Sequence, residues 1–385
     1  MTTKNAAKAI QIVADGHIWG AESAFLALSG FDVDLRILES SEITSTAVKD
    51  ADVLLTRSGT KVNQGLLHGS RVHFAGTATI GDDHYDKAWL DAQGIKWATA
   101  AGSSTESVLE YMLAVLFELQ ARQLVDLSKV TLGIIGAGRI GGQLALICKV
   151  LGITVLINDP PRQRQEGHEG FVSLETILVK ADVLSFHTPL IRDASDTTYH
   201  LMNAAAFAAF KGVGIINAAR GECVDNTALL DWLNQRVDRF TVLDCWENEP
   251  KINQTLLAHS QCVIASPHIA GHSLDGKAAN TQYVYDALCH YLEIKPVWNM
   301  NAILPEIERG SEQVPSNWQD MHVLSKKLYD IDQDAEALKA YGQVSENALA
   351  KGFVNLRRHY PIRRSWVKQS NFFMDVFKAE HGSFL

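Results

Sequence analysis

Long apolar runs are missing from this chain, and so is any excess of positive charge. No uninterrupted apolar stretch approaches the roughly 18 residues that a membrane-spanning helix needs. Lysine and arginine total 35 against 44 acidic residues, for a net charge of -9. That balance does not mark the surface for nucleic acid, although local basic patches remain possible. Cysteine is sparse and odd in number: Cys148, Cys223, Cys245, Cys262 and Cys289 form no C-x-x-C pair. Neither a disulfide framework nor a zinc cluster is expected, and no other metal site is read. The N-terminal MTTKNAAKAIQIVADG lacks the apolar centre of a secretory signal. These absences lead us to expect a cytoplasmic protein with reduced, packed thiols, no membrane partner and no nucleic-acid partner.

What remains is ordinary globular composition, 46% hydrophobic and 21% charged over 385 residues, enough for two or three domains. IQIVA (10–14), DVLLT (52–56) and VHFAG (72–76) read as buried strands separated by helix-length segments, an α/β rhythm. SVLEYMLAVLFELQA (107–121) reads as a helix apolar on nearly every side, expected to lie buried between layers. From residue 130 the rhythm resumes in VTLGIIGAGRIGGQLALICKVLGITVLINDPP, then ADVLSFHTPL, GVGIINAARG, FTVLDCWENEP and CVIASPHIAG. It stops near residue 300, and 301–385 reads as a third small domain.

Gly136, Gly138 and Gly141 form G-x-G-x-x-G between a strand and a helix, with Asp159 eighteen residues beyond Gly141. In that setting the triplet is a dinucleotide fingerprint. The first glycine makes the turn, the second admits the pyrophosphate, and the third lets helix and strand pack closely. The helix N-terminus, opening at Arg139 and Ile140, then faces the phosphates. Asp159 suits ribose hydroxyls and repels a 2′-phosphate, which favours NAD over NADP. Arg162 weakens that preference slightly.

Three residues after downstream strands suggest chemistry. Arg220 (INAARG) offers a planar, permanently charged partner for a carboxylate. His268 (SPHIAG) is a candidate proton acceptor, and Glu249 (LDCWENEP) a candidate partner for its second nitrogen. Each alone has a bland reading as a surface charge or loop residue. Together, behind a dinucleotide fingerprint, they fit oxidation of a 2-hydroxy acid to a 2-oxo acid.

GIIGAGRIGG, HTPL, INAARG, LDCWENEP and SPHIAG occur in an order that resembles the D-isomer-specific 2-hydroxyacid dehydrogenase family. FAGTATIGDDHYDKAWL (74–90), DPPRQ (159–163), HIAGHSLDGK and LRRHYPIRR (356–364) resemble a phosphate-handling branch of it, so the likeness spans nearly the whole chain. The resemblance implies a Rossmann-type doubly wound parallel sheet at 101–277. It would be inserted in a flavodoxin-like α/β substrate domain (1–100 with 278–298) and followed by a small α+β dimerisation domain (299–385). It implies NAD contacts from His187, Thr188, Pro189, Ala218, Asp244 and Gly271 besides the glycine turn. It assigns catalysis to Arg220, Glu249 and His268, and substrate contacts to Ser58, Thr79 and His272 as well as Arg220. The expected substrate is a phosphorylated 2-hydroxy acid, and the expected assembly a homodimer.

Several loops depart from the branch: Asp15-Gly16-His17, Asp82, Ala101-Gly102-Ser103-Ser104-Thr105, and His272, where a tyrosine is usual. Those departures admit a sister dehydrogenase with another phosphorylated or phosphonate-bearing hydroxy acid. A non-catalytic NAD-sensing protein is the alternative from a different class. Arg357, Arg358, Arg363 and Arg364 read either as a solvated helix end or as a phosphate contact. Asp82 and Glu106 would repel a phosphate if they pointed inward.

Overall fold

The computed structural model describes residues 7–192, 195–309 and 312–378, and divides into two compact units. The first comprises 1–104 with 272–306, and the second 105–271 with 307–385.

The first unit is one parallel sheet of β1 (Lys8–Asp15), β2 (Phe31–Leu38), β3 (Val53–Thr56), β4 (Phe74–Thr77) and β5 (Lys96–Thr99). Its order is β2-β1-β3-β4-β5, the flavodoxin-like winding expected. β3 and β4 are buried throughout, as continuous apolar runs covered on both faces should be. The edge strand β2 instead alternates, with Asp32, Asp34 and Arg36 between Val33, Leu35 and Ile37. The helix Leu274–Tyr291 returns to this unit, capped by Ser273, and packs Val284, Tyr285 and Leu288 with Ile10, Ile12 and Phe74. Gly76 lies under it, where a Cβ would come within 2.6 Å of Val284.

The second unit holds β6 (Thr131–Ile135), β7 (Thr154–Asn158), β8 (Val183–Phe186), β9 (Gly214–Asn217), β10 (Phe240–Leu243) and β11 (Cys262–Ala265), all parallel. The order β11-β10-β9-β8-β6-β7 reverses direction at β6, so the crevice for a ligand opens beyond the ends of β6 and β8. The helix Thr105–Ala121 is buried along nearly its whole length, as its sequence predicts.

The tail departs from the expected third domain. Among its described residues it holds five α-helices, a short 3-10 helix at Met300–Ala302 and no strand, so the α+β expectation is corrected to helical (310–311 and 379–385 lie outside the described residues). Nor does it cluster apart: 307–385 gathers with the dinucleotide sheet. The reason is that most of its described buried apolar residues join cores of the dinucleotide unit. Tyr329, Ile331, Trp366, Phe373 and Phe377 share one apolar cluster with Leu113, Phe117 and Leu144. The glutamates of Thr105–Ala121 also hold it. Glu118 pairs with His322 at 2.7 Å, and Glu110 accepts from Trp366 N at 2.7 Å and Ser365 Oγ at 3.0 Å.

Phe373, fully buried against Trp366 and Phe117, tests this shared core. Phe373→Ala should cost about 3–5 kcal/mol in urea unfolding. Hydrogen exchange should show 131–265 losing protection along with the tail.

Candidate active site

β6 delivers the glycine turn to the point where strand order reverses. Gly136 takes φ +87°, and a Cβ there would meet Thr188 at 2.8 Å and His187 carbonyl at 3.0 Å. Gly141 lies so close to the strand that a Cβ would stand 1.9 Å from Gly136 O. Nothing lies within 4 Å of the Cβ position at Gly138, so the protein leaves that face open. Gly138 also precedes the helix Arg139–Val150 without a side-chain cap, which leaves first-turn N–H groups available to an anion. A pyrophosphate fits this cradle.

Asp159 ends β7. Its carboxylate accepts from Ala137 N at 2.8 Å and Arg162 N at 3.0 Å, and so knots the glycine turn to the next helix. The same oxygens retain acceptor capacity toward ribose hydroxyls. Arg162 is turned away from such a role. Both oxygens of Glu166 hold its guanidinium at 2.7 Å, and Nη1 donates to Ala137 O. Arg162 is thereby engaged with a carboxylate rather than free to welcome a 2′-phosphate, in keeping with NAD. After β8, His187 bonds Ser185 Oγ at 2.8 Å, and burial lowers its pKa to about 4. It is a neutral ring at physiological pH, backing the turn through Thr188.

The candidate catalytic side chains come from three neighbouring strand ends. Arg220 follows β9. Asn217, wholly buried, holds its carbonyl at 2.9 Å, and Gly221 packs so tightly under Trp246 O that a Cβ would stand 1.9 Å away. Glu249 follows β10, with Oε1 accepting from Trp246 N at 2.8 Å and Oε2 2.7 Å from His268 Nδ1. Burial would raise the Glu249 pKa, but the His268 ring and Arg357 outweigh it and hold the carboxyl below its ordinary range. His268 follows β11 with φ +56°, a left-handed conformation costly for a side chain of this size. Asp244 stabilises that turn from beneath, accepting from Ser266 Oγ at 2.7 Å, Ile269 N at 2.7 Å and Ala270 N at 3.0 Å. Tyr111 Oη in turn lies 2.8 Å from Ser266 Oγ. Cys245, Glu249 and His268 bring three donor atoms within 4.8 Å of one another. The His–Glu bond already uses two of them, so the group is an acid–base pair beside a buried thiol.

The second unit therefore carries Arg220, Glu249, His268 and the glycine turn. Asn217, Ser266 and Tyr111 were missed in the sequence. Their only signal there is a polar residue inside an apolar run or at a strand end. Ser58, Thr79 and His272 belong to the first unit. Ser58 is exposed after β3. Thr79 bonds Thr77 Oγ1 at 2.7 Å and Gly81 O at 2.9 Å, and His272 precedes the cap of Leu274–Tyr291. The two unexplained acids have local partners: Asp82 meets Lys87 at 3.1 Å and Glu106 meets Ser365 at 3.3 Å. The four tail arginines are not one patch. Arg358 is exposed, Arg357 and Arg364 are half-buried, and Arg363 is enclosed.

A dinucleotide cradle and a His–Glu pair on one parallel sheet define a nicotinamide-dependent dehydrogenase. Residues 104–270 match the family model for the D-isomer specific 2-hydroxyacid dehydrogenase NAD binding domain. The chain is 40% identical over 363 residues to erythronate-4-phosphate dehydrogenase of Pseudomonas syringae pv. tomato, covering 92% of this chain and 93% of that one. Its identity to the same-named protein of Azotobacter vinelandii is 40% over 361 residues, with 92% and 93% covered. The chain belongs to the D-isomer specific 2-hydroxyacid dehydrogenase family. Among solved structures, D-lactate dehydrogenase from Aquifex aeolicus, complexed with NAD and lactic acid, superposes with TM-score 0.60 at 24% identity, covering 73% of this chain and 95% of that one. NAD-dependent formate dehydrogenase from Staphylococcus aureus in complex with NAD gives TM-score 0.60 at 23% identity, covering 76% and 98%. These two likenesses concern the fold alone.

The open face at Gly138 and the closed one at Gly141 predict opposite outcomes for one methyl group. Gly138→Ala should keep its melting temperature and lose at least about tenfold in NAD affinity by calorimetric titration. Gly141→Ala should fail to fold or melt far lower.

Proposed function

We propose that the protein oxidises 4-phospho-D-erythronate to its 2-oxo acid with NAD, in the cytosol, as a step of pyridoxal phosphate synthesis. The observation that carries this reading is the 2.7 Å bond between His268 Nδ1 and Glu249, one strand end from Arg220. The 40%-identical relatives named for that reaction supply the substrate. Gly136, Gly138, Arg139, Ile140, Gly141 and Asp159 would hold the cofactor, with His187, Thr188, Pro189, Ala218, Asp244 and Gly271 around it. When bound, NAD accepts the hydride.

The chain's own groups do the rest. Arg220 holds the substrate carboxylate through two parallel N–H donors. His268 takes the hydroxyl proton on Nε2, since Nδ1–H is committed to Glu249. Glu249, kept ionised by its surroundings, fixes that tautomer and stabilises the imidazolium that forms. The sign follows from its lowered pKa. The stability that Glu249 contributes is present above the ordinary glutamate value and is lost as pH falls through its lower folded value. Ser58, Thr79 and His272 are assigned to the substrate on the resemblance. Arg363 is enclosed in the tail, so any phosphate contact from the basic run falls to Arg357, Arg358 or Arg364.

We further propose a homodimer through the tail, whose Val314, Val323 and Ile362 stay 69%, 59% and 77% exposed. A sister dehydrogenase is the second reading, favoured by the altered loops at 15–17, 82, 101–105 and 272. An NAD sensor without turnover is disfavoured by the paired His268 and Glu249.

The test is nicotinamide absorbance with 4-phospho-D-erythronate, beside an assay of product formation with an added 2-oxo acid acceptor. Saturable turnover supports the reading, whereas bound NAD without turnover means a re-specified pocket. His268→Ala should lower kcat by about 10²–10⁴-fold while NAD affinity survives. Glu249→Gln should fall in the same direction by less, and normal turnover in His268→Ala would remove the mechanism.

A further inference from the structure

We infer that Arg363, in the tail, is a positioning residue for catalysis: it clamps the turn that carries His268. The inference rests on the reading of His268 as the proton acceptor.

Arg363 is only 6% exposed. A buried guanidinium is costly unless its donors are satisfied, and the usual partner is a carboxylate held by two parallel bonds. Arg363 does something else. Its Nη2 donates to Ala270 O at 3.0 Å and to Ser107 O at 3.3 Å. Its plane lies over the Tyr329 ring, with Cζ 4.1 Å from the centroid. Nε and Nη1 are buried without a hydrogen-bond partner among the described residues. Charge balance comes from a short distance away. Tyr329 and Tyr360 both donate to Asp334, at 2.6 and 2.8 Å, and Glu110 lies close enough for Arg363 to oppose the burial that raises its pKa to about 7. An arginine placed for stability alone would spend its donors on Glu110 or Asp334. This one directs Nη2 to two backbone carbonyls, one of them two residues from His268.

The location gives the clamp its effect. Asp244 takes the N–H groups of Ile269 and Ala270, and Arg363 takes the carbonyl of Ala270. The two residues after the histidine are thus held through both their N–H groups and through the carbonyl of the second. His268 itself sits at φ +56°, a conformation that persists only where the surroundings over-determine it. With the Arg363 contact gone, the turn keeps its anchors before the histidine, where Trp246 Nε1 holds Ser266 O and Asp244 O holds His268 N, but loses the one on the Ala270 carbonyl. The ring can then drift from Glu249, and a displacement of about 1 Å is enough to cost a large part of a catalytic rate.

The experiment compares wild type, Arg363→Met and Arg363→Lys. Readouts are kcat, the KM for 4-phospho-D-erythronate, NAD affinity, and the low-field Nδ1–H proton resonance of His268. Arg363→Met should lower kcat at least tenfold, with KM and NAD affinity within threefold of wild type. The resonance should broaden or vanish. Arg363→Lys keeps the buried charge and should recover part of kcat. An unchanged kcat and resonance in Arg363→Met overturns the inference. So does a loss of kcat matched by an equal loss of NAD affinity, which would mark a merely structural role. If Arg363→Met does not fold, Arg363→Lys decides alone: a lower kcat at unchanged melting temperature supports the clamp, and wild-type behaviour sinks it. Wild type inactive on 4-phospho-D-erythronate sinks the substrate reading only, and the histidine resonance then judges the clamp by itself.

Discussion

A carboxylate enclosed in protein is tolerable only when donors replace the water it has lost, and Asp244 has three donors aimed at it. Those donors come from one short stretch, Ser266 to Ala270, so satisfying the charge dictates the path of the chain there. The path fixes His268 in a backbone conformation it would not choose, facing Glu249. Burying Asp244 therefore shapes the turn that carries His268. Tyr111 extends the same arrangement into the long buried helix, so the turn and the core are one hydrogen-bonded structure.

Much of the fold is legible because fully covered strands write themselves as short apolar runs. β1, β3, β4 and all six strands of the second sheet correspond to apolar runs in the sequence. β2 and β5 do not, because neither is an unbroken buried run: β2 alternates and β5 is at most half-buried. There the side chains facing water are as numerous as those facing the core, and Asp32, Asp34 and Arg36 dilute the signal. The tail is misread for another reason. Its apolar residues are spaced to complete someone else's core, and spacing alone does not say whose.

The site divides along the same line. Arg220, Glu249 and His268 are visible because chemistry and topology agree at strand ends. Asn217, Ser266 and Tyr111 act through partners distant in the chain, and nothing local distinguishes them from polar residues with no task. The four tail arginines look equivalent in sequence. Their differences come from burial, which decides that Arg363 serves the backbone while Arg358 meets solvent.

The pairing of Arg162 with Glu166 bears on how this cofactor preference could change over generations. Replacing Asp159 alone removes a repulsion but leaves the arginine occupied and unties the glycine turn. Replacing Glu166 alone frees an arginine beside a carboxylate that still repels. Each single step is unrewarded and only the double change is useful, so the preference for NAD is separated from its alternative by a valley that point mutations do not readily cross.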